Sequence, residues 1–364
     1  MKIAVLGGGN GSFASAGDLS LAGHEVRLWR RASADAEAHR RAGGTVTIMD
    51  GSGRRDGSLA AITSDLGAAV RGADLILCPT PAFAQEEIAA RLGPLLEDGQ
   101  VVFLPPGTFG SYVFAKAARD AGNRVEAAFA ETGTLPWLAR KQGLYTVRIS
   151  GRGVRLPTGV FPLRRAPHAL DVIDRAFPGT IEPCGDILSA ALMNAGGIIH
   201  PPLIIMNAGP IEHFERWDIH KEGTQAAIRR VTDALDAERI ATREALGYGP
   251  PHFPLADHYA SDGEQWMYAR EAHDTLTDSR DWHEHLDLVR HRYMVEDTRM
   301  GLSFLSSVAD LAGVPAPLAV AFLSIGSAVA GEDFRRTGRT LGSLGLGGFD
   351  RPALQELLRE GFPS

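Results

Sequence analysis

The run Ala4-Val5-Leu6-Gly7-Gly8-Gly9-Asn10-Gly11-Ser12-Phe13-Ala14 puts a glycine turn between an apolar strand and a helix. Gly7 permits a tight turn, and Gly9 lets a backbone approach a pyrophosphate closely. Ser12, at the third fingerprint position, is small enough for close helix–strand packing. The helix that starts at Asn10 and Gly11 offers free N–H groups and the positive end of its dipole to phosphate oxygens. A glycine pattern alone is a weak signal. Here it follows a strand and opens a helix, which is the context that makes it a dinucleotide site.

A site of this kind for NAD carries an acid about 20 residues further on, where it bonds the ribose hydroxyls. This chain has Val26-Arg27-Leu28-Trp29-Arg30-Arg31 there, with Ser33 behind it. Guanidinium groups bind a 2′-phosphate bidentately, whereas a carboxylate repels it. Arg30 and Arg31 therefore predict NADP(H) in preference to NAD(H).

Apolar strands are expected at 2–7, 25–29, 73–79, 100–105 and 125–130, with helices between them. Strand–helix alternation predicts a doubly wound parallel sheet. Residues 145–149 read as a later, antiparallel strand. Beyond residue 186 the periodicity turns helical, over 186–199, 203–216, 222–246, 294–312 and 317–330. A chain of 364 residues is long for one core. The expectation is α/β: a Rossmann domain over 1–185, an all-helical domain over 186–364, and substrate in the cleft between them. The uncharged run Leu311–Gly331 is broken by Pro315 and Pro317 and reads as a buried helix from Pro317 rather than a membrane span. With no leader before the first strand, the chain is expected to be cytoplasmic. A net charge of −7 disfavours nucleic acid as a partner. Cys78 and Cys184 are too few for a disulfide framework or a zinc site.

Two stretches of the second half carry groups for proton chemistry. In Met193-Asn194-Ala195-Gly196-Gly197-Ile198-Ile199-His200-Pro201-Pro202, the prolines predict that one helix ends or kinks at His200 and another starts at Pro201. A histidine there is either a packed structural residue or one that projects into the cleft. In His291-Arg292-Tyr293-Met294-Val295-Glu296-Asp297, Arg292 and Asp297 are about 140° apart on an α-helix, so Arg292 should lie just before the helix that carries Asp297. By spacing alone this cluster is equally a surface ion-pair network.

Along essentially its whole length the sequence resembles the opine dehydrogenase family of octopine/nopaline type. The matching stretches are Gly7–Ala14, Thr80-Pro81-Ala82, Pro106-Gly107, Glu131-Thr132 with Arg140, and Asn194–Pro201. They continue with Asp236–Arg239, Arg292-Tyr293 with Glu296-Asp297, Gly331–Asp333 and Thr337–Arg339. The resemblance implies reductive condensation of an α-keto acid with an amino acid. It further implies that His200 is the acid/base, Asp297 orients it, Arg292 holds a substrate carboxylate, Asn194 and Arg140 touch substrate, and Thr80 touches the cofactor. Two departures stand out. Arg30 replaces the acid of NAD-using relatives, and Gly196 replaces the second asparagine of an Asn-x-Asn-x-x-x-His pattern.

Two other readings share this plan: a hydroxyacid or hydroxy-compound dehydrogenase, and an NADP(H) sensor without turnover. Ketopantoate reductases and glycerol-3-phosphate dehydrogenases resemble the architecture but use a lysine in the helical domain. Lysine occurs here only at Lys2, Lys116, Lys141 and Lys221, and only Lys221 lies in that domain, in a polar segment. His283-x-His285 reads as solvated rather than as a metal pair. A homodimer is expected from the prevalence of twofold assemblies. Thr134-Leu135-Pro136-Trp137 offers no ligand that can be named.

Overall fold

The structure is a computed structural model that describes residues 1–260, 262–270, 272, 274 and 282–363. The chain divides into two compact units. The first comprises Met1–Thr80, Ala84–Ala191 and the C-terminal residues from Leu358; the second comprises Pro81–Phe83 and Leu192–Leu357.

The strands of the first unit are β1 (Lys2–Leu6), β2 (Glu25–Trp29), β3 (Thr45–Asp50), β4 (Gly53–Ser58), β5 (Ala61–Thr63) and β6 (Leu75–Leu77). They continue with β7 (Val101–Leu104), β8 (Ala128–Thr132), β9 (Trp137–Lys141), β10 (Thr146–Arg152), β11 (Leu156–Phe161) and β12 (Ile181–Asp186). Eight of them form one sheet in the order β12-β11-β8-β7-β6-β1-β2-β5, parallel except at the β8–β11 pair. Its central strands are buried on both faces, as unbroken apolar runs such as Ile3–Leu6 and Val101–Leu104 require.

The other four strands build a second sheet, β4-β3-β10-β9, that the strand reading above does not contain. Strand β10, expected as an antiparallel strand, pairs antiparallel with β9 and parallel with β3. This sheet lies over the helix Asn10–Leu21, whose other side rests on β1 and β2. A helix covered on two sides cannot be amphipathic, and Asn10–Leu21 is instead a run of small residues around the fully buried Phe13. A Cβ on Gly17 would sit 2.6 Å from Ile48, and one on Gly57 would sit 2.7 Å from the Gly17 carbonyl oxygen.

The second unit is mainly helical: Gly196–Met206, Ala208–His213, Ala226–Ala245, Ser303–Ala312, Pro317–Ala330 and Arg351–Glu360, the last of which runs on into the first unit. It also holds a two-stranded pair, β13 (Trp217–Asp218) and β14 (His283–Glu284), so it is not all-helical. Much of the expected connector 271–291 lies outside the described residues. Two differences from the sequence reading bear on function. Gly196–Met206 is one helix with Pro201 and Pro202 inside it, so no break occurs at His200. Residues 293–302 are a π-helix, and only from Ser303 does the chain continue as α.

Tight packing accounts for both. Gly197 meets Gly301 across the two helices, with a Cβ on Gly301 only 3.4 Å from the Gly197 Cα. Contact along that seam braces the proline-containing helix, which forgoes two backbone hydrogen bonds at Pro201 and Pro202. The Asp236–Arg239 stretch is structural as well. Arg239 is buried and donates to Asp236 and to the carbonyls of Leu192 and His252. Glu238 caps the helix Pro317–Ala330 by accepting from the N–H groups of Leu318 and Ala319. That helix begins at Pro317 as expected, with Phe322 and Leu323 buried and Ile325 exposed.

Candidate active site

Gly7 takes φ +120°, and a Cβ there would lie 2.6 Å from Ser12 Oγ, so no side chain fits. Ser12 Oγ donates to the Leu6 carbonyl at 3.2 Å and ties strand to helix. At Gly9, the residue that caps the helix, a Cβ would meet nothing within 4 Å. That open face, together with helix N–H groups that no intrahelical carbonyl can satisfy, fits the pyrophosphate of a dinucleotide. Thr80 stands against Gly7, while its hydroxyl is 3.2 Å from the buried Cys78 thiol. The Thr134–Trp137 loop also finds its place here. Leu135 packs on Gly11, and the Trp137 indole donates to Asp18 at 2.7 Å. The loop braces the cofactor helix.

Arg30 lies across Gly8, where a Cβ would be 2.6 Å from its Nε. Its guanidinium bonds Asp35 at 2.9 Å and stands over the Phe13 ring at 5.3 Å. Arg31 is exposed and pairs with Glu87. A residue the sequence did not single out joins them: Lys141 Nζ is 4.4 Å from the centre of the same Phe13 ring. Asn10 Oδ1 accepts from the Lys141 backbone N–H and fastens β9 to the start of the helix. Arg140 precedes it on β9, opposite Arg148.

In the second unit His200 Nδ1 and Asp297 Oδ2 are 2.8 Å apart, with side chains 14% and 4% exposed. The carboxylate fixes the tautomer with the proton on Nδ1 and leaves Nε2 available for proton exchange. Burial disfavours charge on both groups. It holds the His200 imidazole well below its ordinary range, helped by the positive Arg292, and it pushes the Asp297 carboxyl up to about 7 against the pull of Arg292. Arg292 caps the π-helix, as the sequence placed it, and its side chain is 53% exposed. Its Nε stands 3.5 Å from Glu296 Oε2, and the π register brings position 297 nearer that side than α geometry would.

Asn194 accepts from the Gly196 N–H at 3.0 Å and sets the first turn of the His200 helix. A Cβ on Gly196 would lie 2.5 Å from Asp297 Oδ1, so the glycine makes room for the carboxylate. Glu296, the position before Asp297 on the π-helix, accepts from the Ala82 N–H at 3.1 Å, and Arg339 donates to the Ala82 carbonyl at 3.0 Å. Two separated stretches of the resemblance thus clamp a third, at the Ala82 peptide groups that follow Thr80. Among the described residues no group of three or more His, Cys, Asp or Glu side chains could hold a metal.

A glycine-loop Rossmann unit joined to a helical unit with a buried histidine–carboxylate pair defines a two-domain dehydrogenase that takes a nicotinamide dinucleotide. Residues 183–330 match the family described as NAD/NADP octopine/nopaline dehydrogenase, alpha-helical domain, and residues 2–107 match the N-terminus of NAD-dependent glycerol-3-phosphate dehydrogenase. An opine dehydrogenase from Arthrobacter sp. (strain 1C) is 30% identical over 348 residues, 95% of each chain. Among solved structures, octopine dehydrogenase in complex with NADH and agmatine superposes with a TM-score of 0.74 at 19% identity, over 100% of this chain and 99% of the other. Yersinopine dehydrogenase with NADP+ bound superposes at 0.66 and 15% identity, over 99% and 97%. The chain belongs to the opine dehydrogenase family, NAD(P)-dependent oxidoreductases acting on CH–NH donors.

Proposed function

We propose that the protein is an NADP(H)-dependent opine dehydrogenase that joins an α-keto acid to the amino group of an amino acid, or runs the reverse oxidation. The observation that carries this reading is the buried His200–Asp297 pair with the exposed guanidinium of Arg292 beside it. Octopine dehydrogenase has been solved with L-arginine and with pyruvate, an amino acid and a keto acid, which supports the substrate classes. Arg292 binds the keto-acid carboxylate by a charge-assisted bidentate contact. Loss of water from the two substrates gives an imine. When bound, the nicotinamide supplies the hydride that the imine carbon accepts. The nitrogen takes its proton from His200 Nε2, and Asp297 stabilises the imidazolium that exists before the transfer. In the oxidative direction Nε2 takes that proton back.

The Gly7–Ser12 loop and Thr80 hold the pyrophosphate side of the cofactor. Arg30, just after β2, and Lys141, at the end of β9, are two cations over the Phe13 ring, and they support the NADP(H) preference. A 2′-phosphate finds charge there that an NAD ribose does not need. The test is NADPH absorbance with pyruvate and 2-oxoglutarate against a panel of amino acids. Consumption that requires both a keto acid and an amine is expected. Consumption with a hydroxy-compound couple alone, or none with any pair, rejects the reading. Wild-type enzyme that binds NADH more tightly than NADPH rejects the cofactor assignment separately.

A further inference from the structure

Behind His200 stands a second set of groups that the acid/base assignment does not use. The Tyr293 ring lies face to face with the imidazole, centroids 3.6 Å apart and planes 9° from parallel. The Tyr293 hydroxyl is 2.7 Å from His220 Nε2. His220 is fixed in turn: its backbone N–H donates to Asp218 Oδ1 at 3.1 Å, and its ring meets the edge of Trp282 at 4.6 Å. Tyr293 is 3% and His220 8% exposed. Tyr293 and Asp297 belong to the same π-helix and hold one imidazole in two independent ways. The carboxylate fixes the direction of Nδ1 within the ring plane. The phenol face fixes the plane itself.

A proton-transfer histidine needs both constraints. A single hydrogen bond at Nδ1 leaves the ring free to swing about that bond, and Nε2 then sweeps an arc. Misplacement of a reacting group by about 1 Å can cost on the order of a hundredfold in rate. A stacked ring held at its far end by a hydrogen bond removes that freedom. The alternative for a buried tyrosine is simple core filling with a satisfied hydroxyl. Core filling requires neither a parallel stack on the histidine nor a partner that is itself tied down at two points.

We propose that Tyr293 and His220 are positioning residues that set the plane of the His200 imidazole, and so the place of Nε2. The inference rests on His200 being the acid/base group. The test is steady-state kinetics per folded molecule with NADPH, pyruvate and the amino acid that gives the highest rate, for His200→Ala, Tyr293→Phe, Tyr293→Leu, His220→Gln and the Tyr293→Phe/His220→Gln pair. Tyr293→Leu is expected to lower kcat roughly tenfold to a hundredfold, with KM values and NADPH affinity within about threefold. Tyr293→Phe keeps the stack and should recover most of that loss. His220→Gln should match Tyr293→Phe, and the pair should be no worse than either alone, because both remove the same hydrogen bond. Wild-type kcat in Tyr293→Leu while His200→Ala is inactive overturns the proposal and leaves the acid/base assignment standing. Near-normal kcat in His200→Ala removes that assignment itself. If Tyr293→Leu does not fold, the Phe and Gln variants still decide: effects that multiply in the pair, or that fall on KM instead of kcat, overturn it.

Discussion

Asp297 is held in the fold at a cost. Its carboxyl, ordinarily near 3.8, is raised by burial to about 7, so the folded state binds a proton that the unfolded chain has already released. Stability therefore falls as pH rises from about 4 to about 7, and above 7 the full cost of a buried charge is present. Asp297→Asn, with a carbonyl that still accepts from Nδ1, should be more stable than wild type at pH 8, with the gap closing towards pH 4. Urea unfolding at both pH values measures this. The same variant should lose turnover, because the imidazolium is no longer stabilised. His200→Ala should lower kcat by roughly 10²–10⁴-fold with NADPH affinity unchanged, and the double variant should lose far less than the product of the two. At Arg30, replacement by alanine should weaken NADPH binding by about 1–3 kcal/mol and leave NADH almost untouched; equal losses for both in calorimetric titrations would count against the phosphate reading. The three charged residues of the site were legible because their order along the chain carries the family resemblance. Tyr293 lay inside that resemblance with no role attached, and His220 and Lys141 were not singled out, since nothing in a local pattern says which ring a tyrosine will face or which loop a lysine will cross.

At the scale of elements, local rules failed where packing overrode them. Proline statistics predicted that a helix ends or kinks at His200, but the helix Gly196–Met206 does not end there; it runs on through Pro201 and Pro202, with Gly197 against Gly301 of the π-helix. Helical periodicity correctly announced a helix near 294–312, yet it cannot distinguish a π from an α register over ten residues. The small sheet was hidden for another reason. Thr45–Asp50 has a strand-like composition, but Gly53–Ser58 is a polar run that becomes β4 only by pairing with β3. Gly57→Ala should therefore destabilise the protein by about 1–3 kcal/mol, since its methyl meets the Gly17 backbone carbonyl rather than a side chain that could turn away. Gly196→Ala is the functional counterpart. Alanine is the better helix former, but its methyl displaces the Asp297 carboxylate. A fall in kcat of roughly tenfold or more, with the far-ultraviolet spectrum unchanged, is expected.

Across the whole molecule, the Rossmann sheet and the helical second half were readable because alternation and periodicity are properties of long stretches, where single exceptions average out. Charge behaves differently. A chain with a net charge of −7 repels anions on average, so an anionic ligand must be met by positive charge concentrated locally. Arg30, Arg31 and Lys141 supply that concentration beside the glycine loop. NADPH affinity should accordingly drop as ionic strength is raised, and NADH affinity should drop much less, in fluorescence titrations over a salt series. Parallel slopes for the two nucleotides would show that the basic cluster does not see the extra phosphate.

The π-helix ties the site to a helical register rather than to a residue count. A π-turn differs from an α-turn by one inserted residue, so excision of Val295 would leave a segment able to relax into an ordinary helix with its apolar face largely preserved. Arg292 and Tyr293 would then stand four and three residues before Asp297, spacings that share one face of an α-helix. That face would survive the shortening, whereas an α register at full length would set Arg292 about 140° from Asp297.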